Sequence, residues 1–218
     1  MEQQSPIVDL SFDLRGMSIP ADHGYALYAA VSRHLPWLHG NETAGIHPIH
    51  GHLVGGRQLA LNRASRLVLR LPADRIAEAI RLAGRRLDVD GLALAVGTPS
   101  VHPLLPHPSL VSRLVVIRGF TEAGPFLEAV GRQLAERDII GSTALAPHLH
   151  QRALQDQTGS HDLFVRRTLR VCGREVVGFA VGVRGLSPQD SMKLQTLGLG
   201  GRRRFGCGVF VGPGKTDP

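Results

Sequence analysis

Apolar and polar residues alternate from the start of the chain: residues 7–14 read Ile-Val-Asp-Leu-Ser-Phe-Asp-Leu, the period of two of a half-buried strand. The period then lengthens. Asp22 stands where an N-cap is needed for a helix running to about residue 34, with Leu27, Ala30, Val31 and Leu35 on one face. After a loop rich in Gly, Pro and His, strands are predicted over 53–61 and 65–71, the second reading Ser-Arg-Leu-Val-Leu-Arg-Leu. Pro72 ends that strand, a short helix over 74–83 turns Ile76, Ala79, Ile80 and Ala83 inward, and 86–96 returns as a strand. The order β-α-β-β-α-β is the ferredoxin-like arrangement.

The stretch 98–109 holds four prolines and no periodicity, which marks a linker. The pattern then repeats. Residues 110–118 form a strand carrying Val111, Leu114, Val115, Val116 and Ile117, and Thr121 caps a helix to about 137 that buries Phe126, Leu127, Val130 and Leu134. The polar stretch 141–162 is long for a connection. Strands over 163–171 and 175–183 form a hairpin turning near Cys172-Gly173-Arg174. Ser187 as N-cap with Pro188 behind it starts a helix to about 197, and a last strand covers 208–211. The prediction is an α+β chain of two tandem ferredoxin-like domains, 1–98 and 110–218, joined by a Pro-rich linker over 99–109. A single mixed α+β domain is the competing arrangement.

Composition adds direction. With 43% hydrophobic and 20% charged residues the chain is globular, and with 5% aromatics its core rests on Leu, Val, Ile and Ala. No apolar run reaches the roughly 18 residues that span a bilayer, and the first residues have neither a basic start nor an apolar signal core. Cys172 and Cys207 are too few for a disulfide framework and too far apart for a CxxC site. A cytoplasmic protein without a membrane contact is expected. The formal charge of +7 is unevenly spread: residues 1–105 carry 10 arginines against 9 acidic residues, and 106–218 carry 15 basic against 9 acidic. A polyanion docking on the second half explains that asymmetry.

Two segments carry candidate chemistry. In Leu197-Gly198-Leu199-Gly200-Gly201-Arg202-Arg203-Arg204-Phe205-Gly206-Cys207-Gly208 the glycines permit close backbone approach to an anion, and three arginines supply forks suited to phosphate. The segment follows a helix and precedes a strand, the reverse of a dinucleotide fingerprint, and no Gly-Lys-Ser/Thr ending makes it a Walker loop. A flexible turn with solvated arginines is the plain alternative. The second segment is Gly45-Ile46-His47-Pro48-Ile49-His50-Gly51-His52, where His47 sits between an apolar and a rigid neighbour and suits proton exchange. A metal site of His47, His50 and His52 is a weaker reading, because the spacing matches no strong zinc pattern. No metal and no cofactor are called for.

The glycine- and arginine-rich run Gly198 to Gly208 resembles the glycine-rich loop of the RAMP superfamily of CRISPR-associated proteins. The whole chain is similar to the repeat-RNA endoribonuclease branch of that superfamily, the Cas-six family, in its MYXAN-subtype form. The stretches that carry the likeness are Asp22-His23-Gly24-Tyr25-Ala26-Leu27-Tyr28, Leu35-Pro36-Trp37-Leu38-His39, Gly45-Ile46-His47-Pro48-Ile49, Ser65-Arg66-Leu67-Val68-Leu69-Arg70-Leu71-Pro72 and Gln195-Thr196-Leu197-Gly198-Leu199-Gly200.

The resemblance implies two ferredoxin-like domains and a metal-independent endoribonuclease that cuts CRISPR precursor RNA within its repeats. A histidine after the first helix, with a tyrosine and a lysine, is the catalytic set it implies. His47 matches the histidine by position and Tyr28 is the nearest tyrosine, but residues 1–192 contain no lysine, leaving Arg57, Arg63 or Arg66 to substitute. The implied reaction is attack of the RNA 2′-OH on its own 3′ phosphate, with His47 as base or acid and a 2′,3′-cyclic phosphate as product. The base and the charge stabilisation each contribute roughly two to three powers of ten.

Repeat RNA is the implied partner, with other CRISPR effector subunits a further one. Cleavage falls to the first half and gripping to the second, through Gly198, Gly200, Gly201, Arg202, Arg203, Arg204, Gly206 and Gly208 together with the strand of Arg166-Arg167 and Arg170. For Arg166 and Arg170, one solvated strand face is the plain alternative. A non-catalytic RNA-binding subunit of a CRISPR effector complex is the competing function.

Overall fold

The computed structural model describes residues 5–145 and 166–213. Strand β1 (Ile7–Arg15) runs through the centre of an antiparallel five-stranded sheet. Its alternation is real on one face, where Val8, Leu10, Phe12 and Leu14 are buried. Asp9 and Ser11 on the other face are buried as well, Asp9 beneath its bonds to Arg70 and His47.

After the short β2 (Ser18–Pro20), helix α1 (Gly24–Ser32) packs Leu27, Ala30 and Val31 into the first core. Its N-cap is His23 and no side chain caps it. Asp22 instead accepts the backbone N–H of Arg170 at 2.7 Å, tying the helix start to the second half. A 3-10 turn, Pro36–His39, follows.

The second strand of the main sheet is not the one expected. It is the two-residue β3 (Gly45–Ile46), paired with β6 (Arg66–Pro72). Residues 53–61 fall in β4 (His52–Val54) and β5 (Gln58–Ala60), a hairpin that joins β2 in a separate three-stranded sheet. Only Leu59 of that hairpin is buried, so its alternation is not backed by a core.

The short helix α2 (Ile76–Ala79) lies between 3-10 turns and buries Ala79 and Leu82, whereas Ile80 is 40% exposed rather than inward. β7 (Arg86–Val89) turns at Asp90-Gly91, both left-handed, into β8 (Leu92–Pro103). The expected linker therefore starts later, since residues 99–103 continue β8 along β1 as far as the Val8–Pro103 pair. β7 covers only Leu92–Ala95 of β8, so Pro99 and Pro103 lie beyond the reach of that partner, where a missing N–H is cheap. The sheet order is β3-β6-β1-β8-β7.

In the second half, β9 (Ser109–Val115) leads to α3 (Ala123–Ala135), which buries Phe126, Val130 and Leu134; Leu127 is only half-buried. Thr121 does not cap it: the N-cap is Glu122, with no side-chain bond. Then come β10 (Ser142–Leu145), β11 (Arg166–Val171) and β12 (Arg174–Arg184). β12 is the spine, with β9 on one side and β10 and β11 on the other. The hairpin turns at Cys172-Gly173, φ 48° and 76°, as the sequence predicts. Most of the polar stretch 141–162 and the start of the strand expected from 163 lie outside the described residues.

Ser187 caps α4 (Pro188–Leu197) by accepting the N–H of Asp190. The expected strand 208–211 lies beside β9 through the hydrogen bonds of Gly208 to Leu114 and of Val111 with Val211, without forming a continuous ladder. The buried apolar residues gather into one core within residues 8–96 and another within 110–210. Val116, Leu169 and Cys207, with Phe205 packed against them, fill a small third cluster.

Candidate functional site

The glycine- and arginine-rich segment is closed on itself. A Cβ on Gly208 (φ 65°) would stand 2.0 Å from the carbonyl oxygen of Leu199, and one on Gly200 (φ 70°) 2.3 Å from that of Val116. These glycines serve the packing of the loop. Their N–H groups are spent internally too, Gly200 on Gln133 Oε1, Gly201 on the Val116 carbonyl and Gly208 on that of Leu114. Open N–H groups for an anion, as the sequence suggested, are not what they supply.

The three arginines diverge. Arg202 is exposed. Arg203 turns inward and donates to the carbonyls of Gln195, at 2.8 Å, and Thr196 at the end of α4; burial pushes its guanidinium down to about 9. Gly45 makes room for it, since a Cβ there would meet Arg203 Cγ and Nε at 3.2 Å. Arg204 lies over the ring of Tyr28, 5.4 Å from its centroid, and donates to the carbonyl of His39 at 2.9 Å.

His47 follows β3 and shares the sheet face of Gly45, two residues earlier. On that face Asp9 and Arg70 are cross-strand partners. Arg70, 1% exposed, grips Asp9 with two bonds, Nε–Oδ1 2.8 Å and Nη2–Oδ2 2.9 Å. His47 Nε2 reaches the same Oδ1 at 3.3 Å, with its side chain 12% exposed. Burial alone would raise the Asp9 carboxyl, but the hydrogen bonds from His47 and Arg70 hold it well below the usual carboxylate range. Burial depresses the imidazole of His47 against the pull of Asp9, which keeps it neutral at pH 7. His23 is committed as well: Nδ1–H donates to the Pro20 carbonyl and Nε2 accepts the Ile49 N–H, both at 2.9 Å, and burial lowers it to about 4.

Tyr28 does not pair with His47. Its hydroxyl meets Nδ1 of His39 at 2.7 Å. The Tyr28 ring is buried edge-on against Phe205, with centroids 5.1 Å apart, whereas His39 is exposed and its Nε2 has no partner among the described residues. Of the arginines considered in place of the missing lysine, Arg66 is bound to Asp13 at 3.2 Å and donates to the Arg63 carbonyl. Arg57 lines a cleft between the two halves together with Asp22, Arg113, Arg167 and Gly206. Arg170 is exposed on β11; the side chain of Arg166 lies outside the described residues. Among the described residues no three His, Cys, Asp or Glu side chains converge as a metal set, and no helix is long and apolar enough to cross a membrane.

A family model described as Cas6 Crispr matches residues 8–215. The chain belongs to the Cas6 family. A "CRISPR-associated endonuclease Cas6" of Myxococcus xanthus (strain DK1622) is 35% identical over 208 residues, spanning 95% of this chain and 82% of that protein. A solved structure titled "CRISPR associated protein Cas6" superposes with TM-score 0.67 at 10% identity, covering 94% of this chain and 98% of the other. A second, titled "An RAMP protein binding different RNA substrates", gives 0.65 at 11% identity over 93% and 98%. The mixed, sheet-rich α+β fold is that of Cas6 and RAMP structures.

Within this Cas6 chain, sequence reasoning quoted His39 in the Pro36-Trp37-Leu38-His39 stretch without assigning it a role. The signal available was its place at the end of a Pro-started turn behind Tyr28. What hid it was the higher density of histidines at 47–52.

Proposed function

We propose that this Cas6 chain is a metal-independent endoribonuclease that cuts CRISPR repeat RNA by attack of a 2′-OH on the adjacent phosphate. The observation that carries the reading is the exposed His39 imidazole held at Nδ1 by the Tyr28 hydroxyl beneath the Arg204 guanidinium. The hydrogen bond from Tyr28 orients the ring and leaves Nε2 to the substrate. With Nδ1–H donating to the Tyr28 oxygen, Nε2 is a base for the 2′-OH; with the phenol donating, Nε2–H is an acid for the 5′-oxygen. The 2′-oxygen bonds to phosphorus as the P–O5′ bond breaks. One proton leaves the 2′-OH and one reaches the 5′-oxygen, so no water is consumed and a 2′,3′-cyclic phosphate remains. Arg204, exposed and fixed by the His39 carbonyl and the Tyr28 ring, takes the charge-stabilising role assigned by resemblance to a lysine.

The chain order and sheet order β3-β6-β1-β8 support a ferredoxin-like first domain, and β12 between β9 and β10 supports a second, each over its own core. We assign the acid–base chemistry of cleavage to the first, with Arg204 reaching it from the second, and RNA retention to the second, with Arg170 and Arg202 on its surface and Arg166 at the start of β11.

His47 is the second reading, because it lines a small cavity with His50, Arg113 and Gly206. Cleavage of cognate repeat RNA in EDTA, with end-group analysis, tests the proposal. His39→Ala abolishes a 2′,3′-cyclic product under this reading, while His47→Ala abolishes it under the second. A product that requires divalent metal overturns both in favour of a metal mechanism, and no cleavage by the parent chain overturns both and leaves the RNA-binding subunit.

A further inference from the structure

The cleft between the halves holds more arginine than its neighbours can neutralise. Arg113 projects from β9, Arg167 from β11, and Arg57 from the β4–β5 turn, on a backbone with φ 57°. Arg113 is half-buried and makes no hydrogen bond or ion pair with any described residue. Arg167 Nε is buried with no partner. Burial lowers both guanidinium groups, Arg113 to about 10 with Arg167 adding repulsion, and both stay charged at pH 7.

Among the described residues that line the cleft the one carboxylate is Asp22, whose Oδ2 already accepts the N–H of Arg170. Among those residues three guanidinium groups thus face one acid. A buried cation without a partner costs several kcal/mol, and a fold has no reason to gather a like-charged pair at a junction unless an anion joins them. The start of α1, Gly24, also lines the cleft and carries no side-chain cap, so the positive end of its dipole adds to the field. Planar forks with unspent N–H donors suit the oxygens of a phosphate.

The cleft adjoins the proposed reaction centre without being part of it. Phe205 and Gly206 line it, and the Phe205 ring packs edge-on against Tyr28. We propose that Arg113 and Arg167, with Arg57, hold a backbone phosphate of the RNA strand flanking the one cut beside His39. This subsite rests on the RNA-processing reading, and it is distinct from the exposed arginines of the loop.

The test uses the full chain and two probes. The first is cognate repeat RNA carrying a 2′-deoxy nucleotide at the cut, which binds without reacting. The double variant R113A/R167A should bind it at least about tenfold more weakly, and the slope of log affinity against log salt should fall by about one. R113K/R167K should recover part of the affinity. Without RNA, the double alanine variant should melt at or above the parent temperature, because two unpaired buried charges are gone; a lower melting temperature with unchanged RNA affinity assigns these arginines to the fold and overturns the subsite.

The second probe is tripolyphosphate, followed by the Nε–Hε resonances of Arg113 and Arg167. Saturable shifts support a phosphate pocket independently of RNA. If tripolyphosphate shifts them but the parent chain does not bind repeat RNA, the RNA reading falls and a phosphate pocket for another ligand remains. RNA affinity and salt slope within twofold of the parent, with no resonance shifted by tripolyphosphate, overturn the proposal.

Discussion

Asp9 and Arg70 face each other across β1 and β6, and the same guanidinium that grips the carboxylate also donates to the carbonyls of Phe210, at 2.7 Å, and Gln195, at 3.1 Å. One buried arginine thereby joins the central strand of the first sheet to the end of the chain. Removing either partner strands the other in a low-dielectric interior, so Asp9→Ala and Arg70→Ala should each cost about 3–5 kcal/mol in denaturant unfolding. Because Asp9 is held below its ordinary value, the stability it contributes is complete above about pH 4 and declines as the pH falls further. Asp9→Asn should flatten that acid limb.

A second pH dependence belongs to His23. Its folded-state value of about 4 lies below the ordinary 6.5 of an imidazole, so the unfolded chain binds the proton more readily. Stability is full above about pH 6.5 and should fall by roughly 3 kcal/mol as the pH drops to 4. His23→Gln, whose amide also donates and accepts, should lose most of this slope; an unchanged urea midpoint profile between pH 7 and 4 in the parent would refute the assignment.

For the reaction, His39→Ala should lower the single-turnover cleavage rate by two to four powers of ten with little change in RNA affinity. Tyr28→Phe keeps the ring packing against Phe205 and removes only the hydroxyl from His39 Nδ1. It should slow cleavage about tenfold and displace the pH–rate profile, a readout that a purely structural role for Tyr28 would leave in place.

The three loop arginines should separate by assay. Arg203→Ala removes the bonds to the carbonyls of Gln195 and Thr196 at the end of α4 and should lower the melting temperature. Arg202→Ala, on an exposed side chain, should leave melting unchanged while weakening RNA binding and reducing its salt slope by about one.

Among the glycines, Gly208→Ala meets the Leu199 carbonyl oxygen at a positive φ and should destabilise by about 2 kcal/mol or more. Gly201→Ala, with nothing within 4 Å of its Cβ, should be close to neutral. Equal melting temperatures for the two variants would contradict the close packing of the loop.

Local pattern was enough to read β1, the buried face of α1, β6, α3, the Cys172-Gly173 hairpin and the Ser187 cap. Each is a local property, in which a repeat of two or 3.6, a cap or a left-handed turn leaves its mark within a few residues. β3 is two residues long and can show no period, so the more alternating 53–61 stood in for it. The prolines at 99 and 103 read as a linker, since a sequence does not disclose which side of a strand lacks a partner.

The chemistry was decided further away. Nothing local distinguishes His47, drawn into the Asp9–Arg70 pair, from His39, left exposed on Tyr28. Nor does a run of three arginines tell which turns inward. Those outcomes depend on tertiary contacts that leave no mark on the local pattern, from His47 with Asp9 to Arg70 with Phe210 and Arg204 with His39. The chain by itself determined its elements, its charge and its family likeness; only folding decided which charged and titratable groups would lose water and which would keep it.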